Sequence, residues 1–69
     1  MSRMYIDKLK LNVRTRNLLI RYKIETVHDL IKMTRSSLLS IKGLGIKSVN
    51  EIERALFMID LHLASEHSQ

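Results

Sequence analysis

Apolar residues in this chain recur at helical spacing and nowhere show the alternation of a strand. Ile6, Leu9 and Leu11 form a short apolar lead-in between Tyr5 and Leu11. Asn12 can accept from an early helical N–H and predicts a helix from about Val13 to Tyr22. Lys23-Ile24-Glu25 follows, and then Thr26 as a second cap, with Asp29 three residues on in a near capping box. The helix it opens turns Val27, Leu30 and Ile31 inward and ends near Met33. Thr34 caps a third, very short helix carrying Leu38 and Leu39. The last helix has the clearest period: Val49, Ile52, Leu56 and Ile59 share one side, while Asn50, Glu51, Glu53 and Arg54 take the other. It should fray near Asp60, with Leu61 and Leu63 still packing. Leu18, Tyr22, Met33, Phe57 and Met58 are assigned to the core by residue type, and His28 to a helix surface. The expected fold is all-α, a compact bundle of four or five short helices. Residues 5–63 form the expected domain, residues 1–4 a disordered or tag-like start and residues 64–69 a flexible tail.

The connection into the last helix carries the chemistry. It reads Leu39-Ser-Ile-Lys-Gly-Leu-Gly-Ile-Lys-Ser48 and holds the only two glycines of the sequence, Gly43 and Gly45. Glycine accepts φ > 0 and lets another molecule approach the backbone closely. Such a turn makes a hairpin between two helices whatever the function, with Leu44 plugging the core. A helix starting just beyond it points free N–H groups and its positive dipole end outward. Lys42, Lys47 and Ser48 beside those donors add a phosphate site. On the first helix, Arg14, Asn17 and Arg21 fall within a sector of about 60°. Alone this is an ordinary solvated face; beside the glycine turn it would extend the anion site. Arginine forks onto phosphate or base edges and enters narrow minor grooves, and asparagine bonds phosphate or sugar.

Composition narrows the function classes. The 69 residues make one domain with net charge +5 and pI near 10.0, a balance that favours polyanionic partners. There is no cysteine, so neither a disulfide nor a cysteine zinc site is available. No apolar run approaches the roughly 20 residues that span a bilayer, and the start lacks the apolar core of a secretory signal. No membrane association is expected, and the cytoplasm, at the nucleoid, is the expected location. The acids Asp7, Glu25, Asp29, Glu51, Glu53, Asp60 and Glu66 are scattered. No nucleophile–His–acid signature and no G-x-x-x-x-G-K loop is present. His62 and His67 lie five apart, about 140° around a helix, with no third ligand. Neither catalysis, metal, cofactor nor small-molecule substrate is expected.

Three segments together resemble a known family. Val13-Arg14-x-x-Asn17, the central Asp29-Leu30, and Leu44-Gly45-x-Lys47-Ser48-x-x-Glu51-Ile52 match the C-terminal domain of the bacterial RNA polymerase alpha subunit. The similarity runs without an evident gap from about Tyr5 to Leu63. The resemblance implies a helical domain with a helix-hairpin-helix element, of SAM-like topology, that is non-catalytic. It also implies transcription-linked binding to the minor groove of A·T-rich double-stranded DNA upstream of core promoters, and contacts with sigma factor and transcription regulators. By match, the DNA-reading arginine falls on Arg14 and its partner asparagine on Asn17. The hairpin contacts fall on Gly45, Lys47 and Ser48, with Glu51 one turn further on.

The sequence also departs from that pattern. Lys8 and Lys10 stand where the family carries sigma-contacting acids, and Arg35 replaces an acid on the activator-facing side. Ser40 stands in place of a DNA-contacting lysine, and Leu18 in place of a cysteine. These reversals motivate a competing expectation: a protein-interaction module that binds sigma factor or a regulator through Lys8, Lys10 and Arg35 without touching DNA. Met1 lies only a few residues ahead of the similarity, which leaves open both a fragment of an alpha subunit and a free-standing relative.

Overall fold

A computed structural model describes residues 4–66. It contains a single 3-10 turn, Ile6–Lys8, followed by four α-helices: α1 (Val13–Arg21), α2 (Val27–Ile31), α3 (Arg35–Leu39) and α4 (Ile46–Phe57). Three of the four start on the side chain expected. Asn12 Oδ1 accepts from Thr15 N at 2.9 Å, and Thr34 Oγ1 accepts from Ser37 N at 3.0 Å. At α2 the capping box is complete: Thr26 Oγ1 accepts from Asp29 N, and Asp29 Oδ2 accepts from Thr26 N. Each bond satisfies a donor that a helix start otherwise leaves unpaired. The fold is thus all-α, with α3 and α4 in contact across a short glycine-containing connection.

Two helix ends use a device the residue types do not advertise. Lys23 has φ +65° and Asp60 φ +63°. Around Lys23, Ile24 N donates to Leu19 O and Lys23 N to Ile20 O. Around Asp60, Leu61 N donates to Leu56 O and Asp60 N to Phe57 O. Both are Schellman endings, in which a left-handed residue lets two later amides satisfy the last free carbonyls. The second reverses the backbone after α4, which brings Leu63 into the core and leaves Ile59 outside the helix at 36% exposure.

The core gathers one or two apolar residues from each of the shorter elements and four from α4. Ile6, Leu19, Leu30, Leu38, Val49, Ile52 and Leu56 are fully buried, and Leu44 seals the hairpin corner as expected. Leu18 and Met33 pack against this cluster while remaining partly exposed. Three apolar residues assigned to the core do not go there: Tyr22, Phe57 and Met58 are exposed, the last two at 76% and 69%, as is Leu39. Phase explains it. Leu38 and Leu56 point at the core, so their successors lie about 100° around the helix and face out. Among the described residues, every buried side-chain N or O atom has a hydrogen-bond partner.

Both ends of the described polypeptide are laced onto the flanks of α2. Val27 N donates to Met4 O at 2.9 Å and Ile6 N to Glu25 O at 3.0 Å. Ala64 N donates to Met33 O at 2.9 Å, and the Glu66 carboxylate accepts from Ser36 N and Ser36 Oγ at 2.9 and 2.6 Å. These contacts reach Met4 at one end and Glu66 at the other. The rest of the expected loose start and tail, residues 1–3 and 67–69, lies outside the described residues.

Burial sets the cost of truncating these side chains. Leu38→Ala or Leu56→Ala should cost about 2–5 kcal/mol, most of the roughly 3–10 kcal/mol available to a protein of this length. Phe57→Ala should stay within about 0.5 kcal/mol, and thermal melts of the three variants check both expectations. The α2 capping box adds a pH dependence. The backbone N–H groups of Glu25 and Thr26 hold the Asp29 carboxyl below its ordinary value of 3.8. A group depressed in the folded state stabilises above its unfolded pKa and loses that contribution as pH falls through the folded one. Denaturant midpoints should therefore drop between pH 5 and pH 2, about the range where carboxylates titrate, and less steeply in Asp29→Asn.

Candidate nucleic-acid interface

The candidate site is built where α1 lies along the hairpin. Gly43 has φ +100°, a conformation that side-chain-bearing residues rarely adopt, and a Cβ built there would sit 3.0 Å from Leu18 Cδ1. Glycine is therefore required twice, by dihedral and by the α1 side chain against it. Leu18 is the edge of the α1 face that carries Arg14, Asn17 and Arg21, and these four residues line one shallow surface depression. The arginine face and the glycine turn are adjacent, which is the condition that lifts this face above an ordinary solvated one.

Gly45 behaves differently. Its φ is −104° and ψ −176°, an extended backbone open to any residue, and a Cβ there would meet nothing within 4 Å. The expectation that both glycines are needed by the turn thus holds for Gly43 alone. Gly45 is the N-cap of α4 and offers no side chain to cap it, unlike Asn12, Thr26 and Thr34. The first turn of the longest helix is left with its donors uncapped and a positive dipole end. Ile46 and Lys47 on that turn are exposed, Ser48 is half-buried, and Lys42 is exposed on the loop.

Glu51 ties the two halves together. Its carboxylate accepts from Asn12 N at 2.5 Å and from Thr15 Oγ1 at 2.8 Å. Thr15 is buried, and Asn12 at the same time caps Thr15 N. The family resemblance makes Glu51 a contact residue; here both its oxygens hold the N-terminus of α1, and with it Arg14, against α4. The sequence gives no sign of this role because the partners lie 36 and 39 residues away.

Arg35 likewise finds its partners within the domain. Its guanidinium donates to Glu53 Oε1 at 2.6 Å and to Asn50 Oδ1 at 3.0 Å, pinning α3 to α4. The arginine expected on the partner-facing side is thus also a link between two helices of its own domain, with its side chain 35% exposed. Lys8 and Lys10 are exposed. Arg54, which no motif singles out, lines a groove with Lys10 and Lys47. Among the described residues no group of three His, Cys, Asp or Glu side chains could hold a metal. No described helix is long and apolar enough to cross a membrane.

The architecture is that of a small all-helical domain organised around a helix–hairpin–helix corner. The protein belongs to the family of C-terminal domains of the bacterial RNA polymerase alpha subunit, whose model matches residues 2–57. It is similar to the DNA-directed RNA polymerase subunit alpha of Pseudothermotoga lettingae, at 49% identity over 51 residues, covering 74% of this sequence and 15% of that one. The subunit of the same name from Cyanidioschyzon merolae is 45% identical over 56 residues, 81% of this sequence and 18% of that one. That of Syntrophomonas wolfei is 47% identical over 58 residues, 84% and 18% respectively. The similarity thus spans less than a fifth of the length of these curated relatives.

The two glycines should separate in stability measurements. Gly43→Ala should cost about 1–3 kcal/mol, since the strained dihedral persists and Leu18 must give way. Gly45→Ala should lose no more than about 1 kcal/mol, the difference between glycine and alanine at an N-cap. Urea titrations of both variants check it.

Proposed function

We propose that this domain is a non-catalytic DNA-binding module acting in transcription, in association with RNA polymerase at the nucleoid. Its target is the minor groove and flanking backbone of A·T-rich double-stranded DNA. Arg14 enters the groove, where a narrow A-tract concentrates negative potential, with Arg21 beside it. Asn17 bonds the adjoining sugar-phosphate and fixes the arginine's pose. The backbone on the other side meets the uncapped amides of α4, together with Lys42, Lys47 and Ser48. The open space over Gly45 leaves room for a phosphate to approach that turn. Exposed Lys8 and Lys10 leave a surface for sigma factor or a transcription regulator.

The observation that supports this reading best is the Leu18–Gly43 contact, which sets the arginine face against the turn that leads into α4. In the reading without DNA, Arg35 would meet a partner while also held by Glu53 and Asn50.

About four phosphate contacts imply weak binding with a log–log salt slope of roughly −3 to −4. Titrating an A·T-rich duplex into the labelled protein at several salt concentrations should shift the Arg14 and Lys47 amide signals. Arg14→Ala should lower affinity at least about tenfold with the melting temperature unchanged, a change worth about 1.4 kcal/mol. Unmoved Arg14 and Lys47 signals at low salt would refute the assignment.

A further inference from the structure

One flank of α4 is uncovered from its first turn to its end. Lys47, Glu51, Arg54 and Met58 succeed one another along it, with Ala55 as floor, and Lys10 from the lead-in segment lines the same groove. At 1.5 Å per residue the run from Lys47 to Met58 is about 16 Å long, room for a short peptide segment. Lys10, Lys47 and Arg54 have no carboxylate within ion-pair distance; the one ion pair among the described residues is Arg35–Glu53. The acid of the groove, Glu51, has both oxygens committed to Asn12 and Thr15. The groove therefore holds three cations against one occupied acid. Its far end is apolar, since Met58 is 69% exposed beside buried Ala55. Methionine adapts its shape to whatever covers it.

We propose that this groove docks an acidic amphipathic protein segment. The segment's carboxylates meet Lys10, Lys47 and Arg54, and its apolar side chains cover Met58. A nucleic-acid strand satisfies the cations and leaves the methionine wet; a neutral apolar segment covers the methionine and desolvates three charges without partners. Only a ligand with both features matches both ends of the groove. Lys47 belongs to this groove and to the first turn of α4, so the docked segment and DNA exclude one another there. That exclusion rests on the DNA-binding function proposed above; the docking itself does not.

The probe is a short synthetic peptide of alternating glutamate and leucine, compared with a polyglutamate of equal charge, each titrated into the labelled protein without DNA. The amphipathic peptide should move the Lys47, Arg54 and Met58 amides and bind about tenfold more tightly than polyglutamate, as burial of one or two apolar side chains implies. Met58→Asp, at an exposed position, should remove that advantage. The double variant Lys10→Glu, Arg54→Glu should weaken both peptides about tenfold, since attraction becomes repulsion at two places. Equal affinity for the two peptides overturns the proposal, as do shifts confined to Arg14, Asn17 and Arg21. Loss of A·T-rich duplex binding in Met58→Asp would assign the groove to DNA and overturn it as well. The duplex should displace the peptide from the unsubstituted protein; independent binding of both overturns the exclusion. A peptide that binds while the duplex does not upholds the groove and refutes the DNA-binding reading alone.

Discussion

The carboxylate of Glu51 is the joint on which the rest of this domain turns. Lying one turn into α4, it accepts from the backbone of Asn12 and the hydroxyl of Thr15, and Asn12 in turn caps the helix that carries Arg14. Hydrophobic burial brings α1 and α4 into one core, but it is indifferent to small rotations of one helix on the other. Directional bonds to a charged acceptor are not. They fix the phase of α1, and that phase decides that Leu18 meets Gly43 while Arg14, Asn17 and Arg21 look outward. An acid in the middle of a basic surface is thereby reconciled with the proposed function, because its charge is directed inward at α1.

The charge pattern sorts by the same logic. Arg35 is forked onto α4 through Glu53 and Asn50. Lys10, Lys47 and Arg54 remain outward, so positive charge gathers on the α4 side that borders the hairpin. Of the four α-helices, only α4 starts without a side-chain cap, and that start lies in the same region.

Much of this can be read without coordinates, wherever the cause is local. Asn12, Thr26 and Thr34 announce helix starts because a cap acts over three residues. Leu44 between two glycines announces a plugged corner. What escapes depends on distance or on phase. Glu51 and Arg35 are assigned to the surface, and their partners lie 15 to 39 residues away. Tyr22, Phe57 and Met58 are apolar, but apolarity does not give a direction; the helix phase set by Leu19 and Leu56 does. The apolar period carries α4 past Ile59, whereas the helix stops short of it at Phe57. Its left-handed residue is Asp60, and a Schellman turn is ordinarily signalled by glycine. The glycine pair is legible as a unit yet hides a division of labour, with Gly43 answering to the fold and Gly45 left free of any internal demand.

The lacing of both ends onto α2 has a mechanical meaning. Met4 is bonded to Val27 and Ala64 to Met33, so the two seams sit at opposite ends of a single short helix. A pull between Met4 and Ala64 would load both seams, and α2 lies between them. Neither seam includes a residue of the Glu51 joint or of the hairpin corner.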